Sequence, residues 1–161
     1  MESAISDRVF DNMEDIVHQT REYVLKHVRA SGFHGIDHWD RVYQNGQKLI
    51  TPEVNSLVVG LFAYLHDSCR YDDGEDLEHG PRAAEYIDTL RDNLLKDVSD
   101  EEIRLLKEAC RLHTVSDCTG NPTIDACFDA DRLDLDRVGI IPDPARMATD
   151  KGKEIAKNAQ E

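Results

Sequence analysis

Apolar positions recur along most of the chain at three- and four-residue steps, the spacing of one face of a helix. Ile5, Val9, Met13, Ile16, Val17, Thr20, Val24 and Val28 trace such a face and predict one long amphipathic helix to about residue 30. The stretch "SGFHG" breaks it. A second helix begins near Asp37, with His38, Val42, Asn45 and Leu49 on one side. "TPEVNSLVVGLFAYLHD" restarts the pattern with Pro52 in the first turn and is apolar nearly all round, as expected for a central buried helix. Its β-branched residues would also suit a strand, but its length favours a helix.

The polar loop "SCRYDDGEDLEHG" comes next, and Pro81 opens the helix "PRAAEYIDTLRDNLL". In "SDEE", Ser99 and Glu102 have the spacing of a capping box. It starts a helix through Ile103, Leu106, Cys110 and His113. "TGNP" at 119–122 is a turn. Ile124, Phe128, Asp131, Leu135 and Val138 mark a further helical face, ended by Gly139 and Pro142, and the tail from Pro144 adds one lysine-bearing helix. There is no internal repeat, low-complexity stretch or linker. The pattern predicts an all-α fold, a single compact helical bundle domain over residues 1–161.

Composition narrows the function classes. At 161 residues, 40% hydrophobic and 32% charged, the chain has the size and balance to bury one core. No apolar run approaches the roughly 18 residues that cross a bilayer, and "MESAISDRVFDNMEDIV" lacks a basic stretch followed by an apolar one. No membrane role is expected. The net charge of −14 argues against a nucleic acid polymer as partner, because that needs a basic face. A small phosphate ester is compatible with it, since metal ions and a few arginines reverse the local sign. Cys69, Cys110, Cys118 and Cys127 include no C-x-x-C pair, which argues against structural zinc. They read as reduced thiols of a cytoplasmic protein, with Cys110 and Cys127 in the core.

Several predicted faces carry a residue foreign to them. His38 shares its face with Val42 and Leu49, and His113 shares one with Ile103, Leu106 and Cys110. Asp131 falls between Phe128 and Leu135, where a lone ionised carboxylate would cost several kcal/mol or take up a proton. In "AYLHDSCRY" the central apolar run stops on His66 and Asp67. A single buried histidine is commonly satisfied by a backbone carbonyl. For His38, His66, Asp67, His113 and Asp131 together, that explanation needs a separate partner each, whereas a cation accounts for all of them. Imidazole nitrogen with carboxylate oxygen suits Mn, Fe, Co, Ni or Zn better than Ca. Helical bundles build such sites across their cores.

The ordered pattern His … His-Asp … Asp resembles that of the HD-domain superfamily of metal-dependent phosphohydrolases, in a small stand-alone form. The resemblance rests on "HGIDHWDRV" at 34–42, "LFAYLHDSCR" at 61–70, "EHGPRAAEYI" at 78–87, "RLHT" at 111–114 and "DADRLDLDRVGI" at 129–140. These pieces define a motif core of about 34–140, with the segment from 144 to 161 as a tail. The resemblance implies that His38, His66, Asp67 and Asp131 hold one divalent metal. Asp67 would bridge to a second ion held by His79 and His113. His79 lies in a loop just before a helix, so burial gives it no independent support.

The resemblance further implies hydrolysis of a phosphate mono- or diester, with a nucleotide as the favoured small-molecule substrate. Asp67 would orient the attacking water. His34, in a Gly-flanked stretch four residues before His38, is a candidate base or simply a loop histidine. Arg70, Arg82 and Arg132 each neighbour a proposed ligand and are candidates to grip phosphate oxygens. His18 and His27 have no such company. No Gly-rich Walker loop is present. One alternative on the same ligands is a di-iron oxygenase using O2, similar to the myo-inositol oxygenase type. Another is a ligand-binding module without turnover, which a broken ligand set would favour. Here the set is complete. The short loop between Asp67 and His79 separates the chain from larger relatives, so their substrates are not carried over.

Overall fold

The computed structural model describes residues 2–28, 35–70, 78–135 and 139–159, and for residues 2–14 the backbone alone. Their regular structure is helical, with no strand among the described residues. The helices are α1 (Glu2–His27), α2 (Ile36–Gln47), α3 (Ser56–Leu65), α4 (His79–Leu90), α5 (Asp100–Leu112), α6 (Pro122–Arg132) and α7 (Asp150–Ala159), with a 3-10 turn at Pro144–Arg146. None of the described helices is long and apolar enough to cross a membrane.

The all-round apolar stretch is the centre of the bundle. Every residue of α3 from Leu57 to Leu65 is buried, and the helix packs against α1, α2, α5 and α6. Burying each of its large side chains stabilises the fold by roughly 1.5–3 kcal/mol. It starts later than the proline suggests. Asn55 caps it by accepting from the Val58 amide at 3.1 Å, while Pro52 lies in a turn closed by the Val54 amide on the Thr51 carbonyl. One polar staple crosses the layer: Arg21 donates to both oxygens of Asp40, and the Tyr64 hydroxyl donates to Asp40 Oδ1 at 2.8 Å. It ties α1, α2 and α3 together.

The Ser99–Glu102 capping box forms as the sequence predicts, and Cys110 and Cys127 lie in the core. The long first helix ends at His27, slightly short of residue 30. The greater difference is in α6, which stops at Arg132 although the apolar spacing runs on to Leu135. Asp134 takes the inward position there, and Leu135 is left half-buried; Val138 lies outside the described residues. The lysine-bearing tail helix is present as α7. Asp129 anchors its approach by accepting from the Ala148 and Thr149 amides and the Thr149 hydroxyl at 2.7–2.8 Å.

Gly80, in the first turn of α4, permits the contact that matters most for the site. A Cβ on Gly80 would lie 2.5 Å from the Cys110 carbonyl oxygen and 3.1 Å from that of Arg111. The start of α4 therefore rests directly on the end of α5. Both obstacles are backbone, so neither can rotate aside. Gly80→Ala should cost about 1–3 kcal/mol in urea unfolding. A loss below about 0.5 kcal/mol would mean that the two helix ends are not in this contact.

Candidate metal centre

Five helix ends converge on one point of the core. His38 lies in the first turn of α2, His66 is the C-cap of α3 and Asp67 follows it. His79 is the first residue of α4, His113 the C-cap of α5, and Asp131 lies in the last turn of α6. His79 thus belongs to a helix rather than to the preceding loop, and it is buried. The contact at Gly80 seats it beside His113.

Asp67 divides the cluster in two. Its Oδ2 lies 3.3 Å from Nε2 of both His38 and His66. The same two nitrogens are 3.2 and 3.4 Å from Asp131 Oδ1 and 3.3 Å from each other. The other oxygen, Asp67 Oδ1, faces the opposite way, 3.0 Å from His79 Nε2 and 3.9 Å from His113 Nε2. Those two rings approach to 2.9 Å through their Nε2 atoms.

The far side of three rings identifies what faces inward. His66 Nδ1 lies 2.9 Å from the Phe62 carbonyl, His113 Nδ1 2.6 Å from the Cys110 carbonyl, and His38 Nδ1 2.6 Å from Asp134 Oδ2. These oxygens only accept, so each Nδ1 carries a proton and each neutral ring turns its Nε2 lone pair to the centre. Lone pairs and carboxylate oxygens packed together in the core repel unless a cation lies among them. Two donors bound to one ion at about 2.1 Å are roughly 3.0–3.4 Å apart for right-angle to tetrahedral arrangements, which matches most of these separations. Two groups, His38 with His66 and Asp67, and Asp67 with His79 and His113, can each hold a metal ion. Asp131 Oδ1 lies beside the first, 3.2 and 3.4 Å from its two nitrogens.

Without metal, protons serve the first group. Burial disfavours the charged form of His38, but hydrogen bonds to Asp131, Asp134 and Asp67 outweigh it and raise the pKa to about 9. His66 is likewise opposed by burial, yet the charges of Asp67 and Asp131 bring it to about 10. His113 is pushed down to about 4, by burial first and then by the His66 charge. Burial opposes ionisation of Asp131, but His66 and His38 hold its pKa well below the usual carboxylate range. Its side chain is nevertheless 23% exposed, against 4% for Asp67. That differs from the buried position its helical neighbours imply; α6 ends one residue later, and Leu135 is itself half-buried.

The predicted anion-binding residues separate. Arg70 Nη1 lies 3.2 and 3.4 Å from the two ring nitrogens of His79. Arg82 instead donates through Nε to the Cys69 carbonyl at 3.1 Å. Arg132 is a brace: it donates to the carbonyls of Ser116, Asp117 and Arg146 at 2.7–2.9 Å, with its guanidinium over the Phe128 ring. His34 lies outside the described residues. His18 and His27 are on the surface, His27 stacked on Tyr23.

Sequence reasoning missed Asp134 and Arg41. Asp134 is buried, takes the His38 Nδ1 proton bond, and accepts from Arg41 Nε at 2.6 Å. Burial works against its ionisation, but His38 and Arg41 keep its pKa low. The available signal was spacing, since Asp134 follows Asp131 by three residues and Arg41 follows His38 by three. Comparison with protein-family models, with curated proteins and with solved structures returned no match.

The raised values for His38 and His66 lie above the ordinary 6.5. Stability from their protons is therefore complete below about pH 6.5 and lost as pH rises through 9 and 10. His113 acts oppositely, costing stability as pH falls from 6.5 towards 4. The melting temperature of metal-stripped protein should be highest near neutrality and fall by about 5 °C or more between pH 7 and 10. Saturating divalent metal should flatten that alkaline limb. An alkaline limb already flat in stripped protein would contradict the pairing.

Proposed function

We propose that the protein is a metal-dependent phosphohydrolase of the HD-domain type, acting on a phosphate mono- or diester of nucleotide class. In this reading its centre takes two divalent transition metal ions bridged by Asp67. The observation that carries the proposal is the opposed aim of the two Asp67 oxygens, Oδ2 towards His38 and His66 and Oδ1 towards His79 and His113. The mixed imidazole and carboxylate donor set supports Mn, Fe, Co, Ni or Zn.

Divalent ions bound there would supply Lewis acidity, offset phosphate charge and acidify water. The chain's own residues do the rest. Asp134 and the carbonyls of Phe62 and Cys110 hold three rings with Nε2 inward. Buried packing excludes bulk water from most of the cluster, and Asp131 supplies its more exposed edge, the side from which a phosphate ester approaches. Arg70, beside His79, is placed to donate to phosphate oxygens. His34 retains the proposed role of proton-transfer group. Arg82 and Arg132, already bonded to backbone carbonyls, contribute by bracing the walls.

The test is a phosphate-release screen over nucleoside mono-, di- and cyclic phosphates, using protein of measured Mn, Co or Fe content. At least one substrate should release phosphate, and His66→Ala should lower the rate by more than about 100-fold, beyond the range usual for residues that only support a ligand. No release from metal-replete protein would overturn the reading. Oxygen uptake by the iron form in that case would assign the site to oxidation.

A further inference from the structure

The two halves of the centre are unequal. The first gathers carboxylate oxygens from both Asp67 and Asp131 around His38 and His66. Among the described residues, the second has Asp67 Oδ1 with His79 and His113, and a positive charge lies against it. Arg70 Nη1 is nearly equidistant from the two nitrogens of the His79 ring, at 3.2 and 3.4 Å. It therefore rests against the imidazole rather than in line with one lone pair. The guanidinium charge leaves this place only if the side chain moves. The backbone allows that. The Arg70 amide is held by the Asp67 carbonyl at 3.2 Å, while the residue is only half-buried and its side chain is long.

We propose that Arg70 is a stand-in cation for the second half of the centre. It shares the space beside His79 with the second ion, so it makes that ion bind more weakly than the first and must turn aside for the ion to enter. This rests on the metal-dependent reading above. A substrate phosphate would relieve the competition by drawing the guanidinium onto its own oxygens. Arg70 is then the residue that couples substrate arrival to completion of the centre, a role distinct from holding phosphate alone.

The experiment is calorimetric titration of the metal-stripped full chain with MnCl2, for the parent, Arg70→Gln, Arg70→Met and Arg70→Lys, each confirmed folded by circular dichroism. The parent should bind in two steps. Both neutral variants should tighten the second step about tenfold or more, and leave the first within about threefold. Arg70→Lys, which keeps the charge, should stay closer to the parent than either. A second step that is unchanged or weaker in the neutral variants overturns the role of Arg70 while leaving the metal centre intact. Should one neutral variant not fold, the other decides. Absence of any binding by the parent overturns the metal reading and this inference with it.

Discussion

Asp67 carries a carboxylate only 4% exposed at the end of the most deeply buried helix. Removing such a group from water costs several kcal/mol unless both oxygens find positive or donating partners. Here each oxygen faces two imidazole nitrogens, one pair from α2 and α3, the other from α4 and the end of α5, so a proton or a cation has to lie among them. The arrangement of the bundle follows from meeting that requirement. α3 sits in the centre with four neighbours, of which α2, α5 and α6 bring an end to its end. Helix ends suit the task, because the chain turns there and the terminal carbonyls of Phe62 and Cys110 are at hand to orient the histidine rings.

Much of this was legible in the amino-acid sequence, for identifiable reasons. A helix buried on every side leaves an unbroken apolar run, and α3 has one. His38 and His113 stood out because they interrupt apolar faces, and an interruption can be seen without knowing what fills it. The position of His79 was not legible. A Gly-Pro pair after it reads as the approach to a helix, whereas the rest of α4 on the Cys110 carbonyl draws His79 into the first turn. The end of α6 was hidden in the same way. Its apolar spacing continues to Leu135, but the bonds from His38 and Arg41 to Asp134 win over one more helical turn.

The arginines show the limit of adjacency as an argument. Arg132 was singled out for standing next to Asp131. Successive residues on a helix point about 100° apart, so a neighbour in sequence faces elsewhere. Its guanidinium ends on three carbonyls that fasten the loop before α6 to the C-terminal segment. Arg70 follows the end of α3, where the chain has left the helix, and it does reach the cluster. The outcome is an acidic chain, of net charge −14, with local positive charge beside the second half of its buried donor set. The field at the centre is set by these few groups more than by the total.

The inward Nε2 lone pairs of His38 and His66, with Asp67 and Asp131, are placed to surround a cation. Crystals grown with manganese and measured on either side of its absorption edge test this most directly. An anomalous peak is expected roughly 2.2 Å from both Nε2 atoms, Asp67 Oδ2 and Asp131 Oδ1, distances normal for imidazole and carboxylate ligands. Manganese bound only elsewhere, with hydrogen-bonded protons alone joining these four atoms, would contradict it.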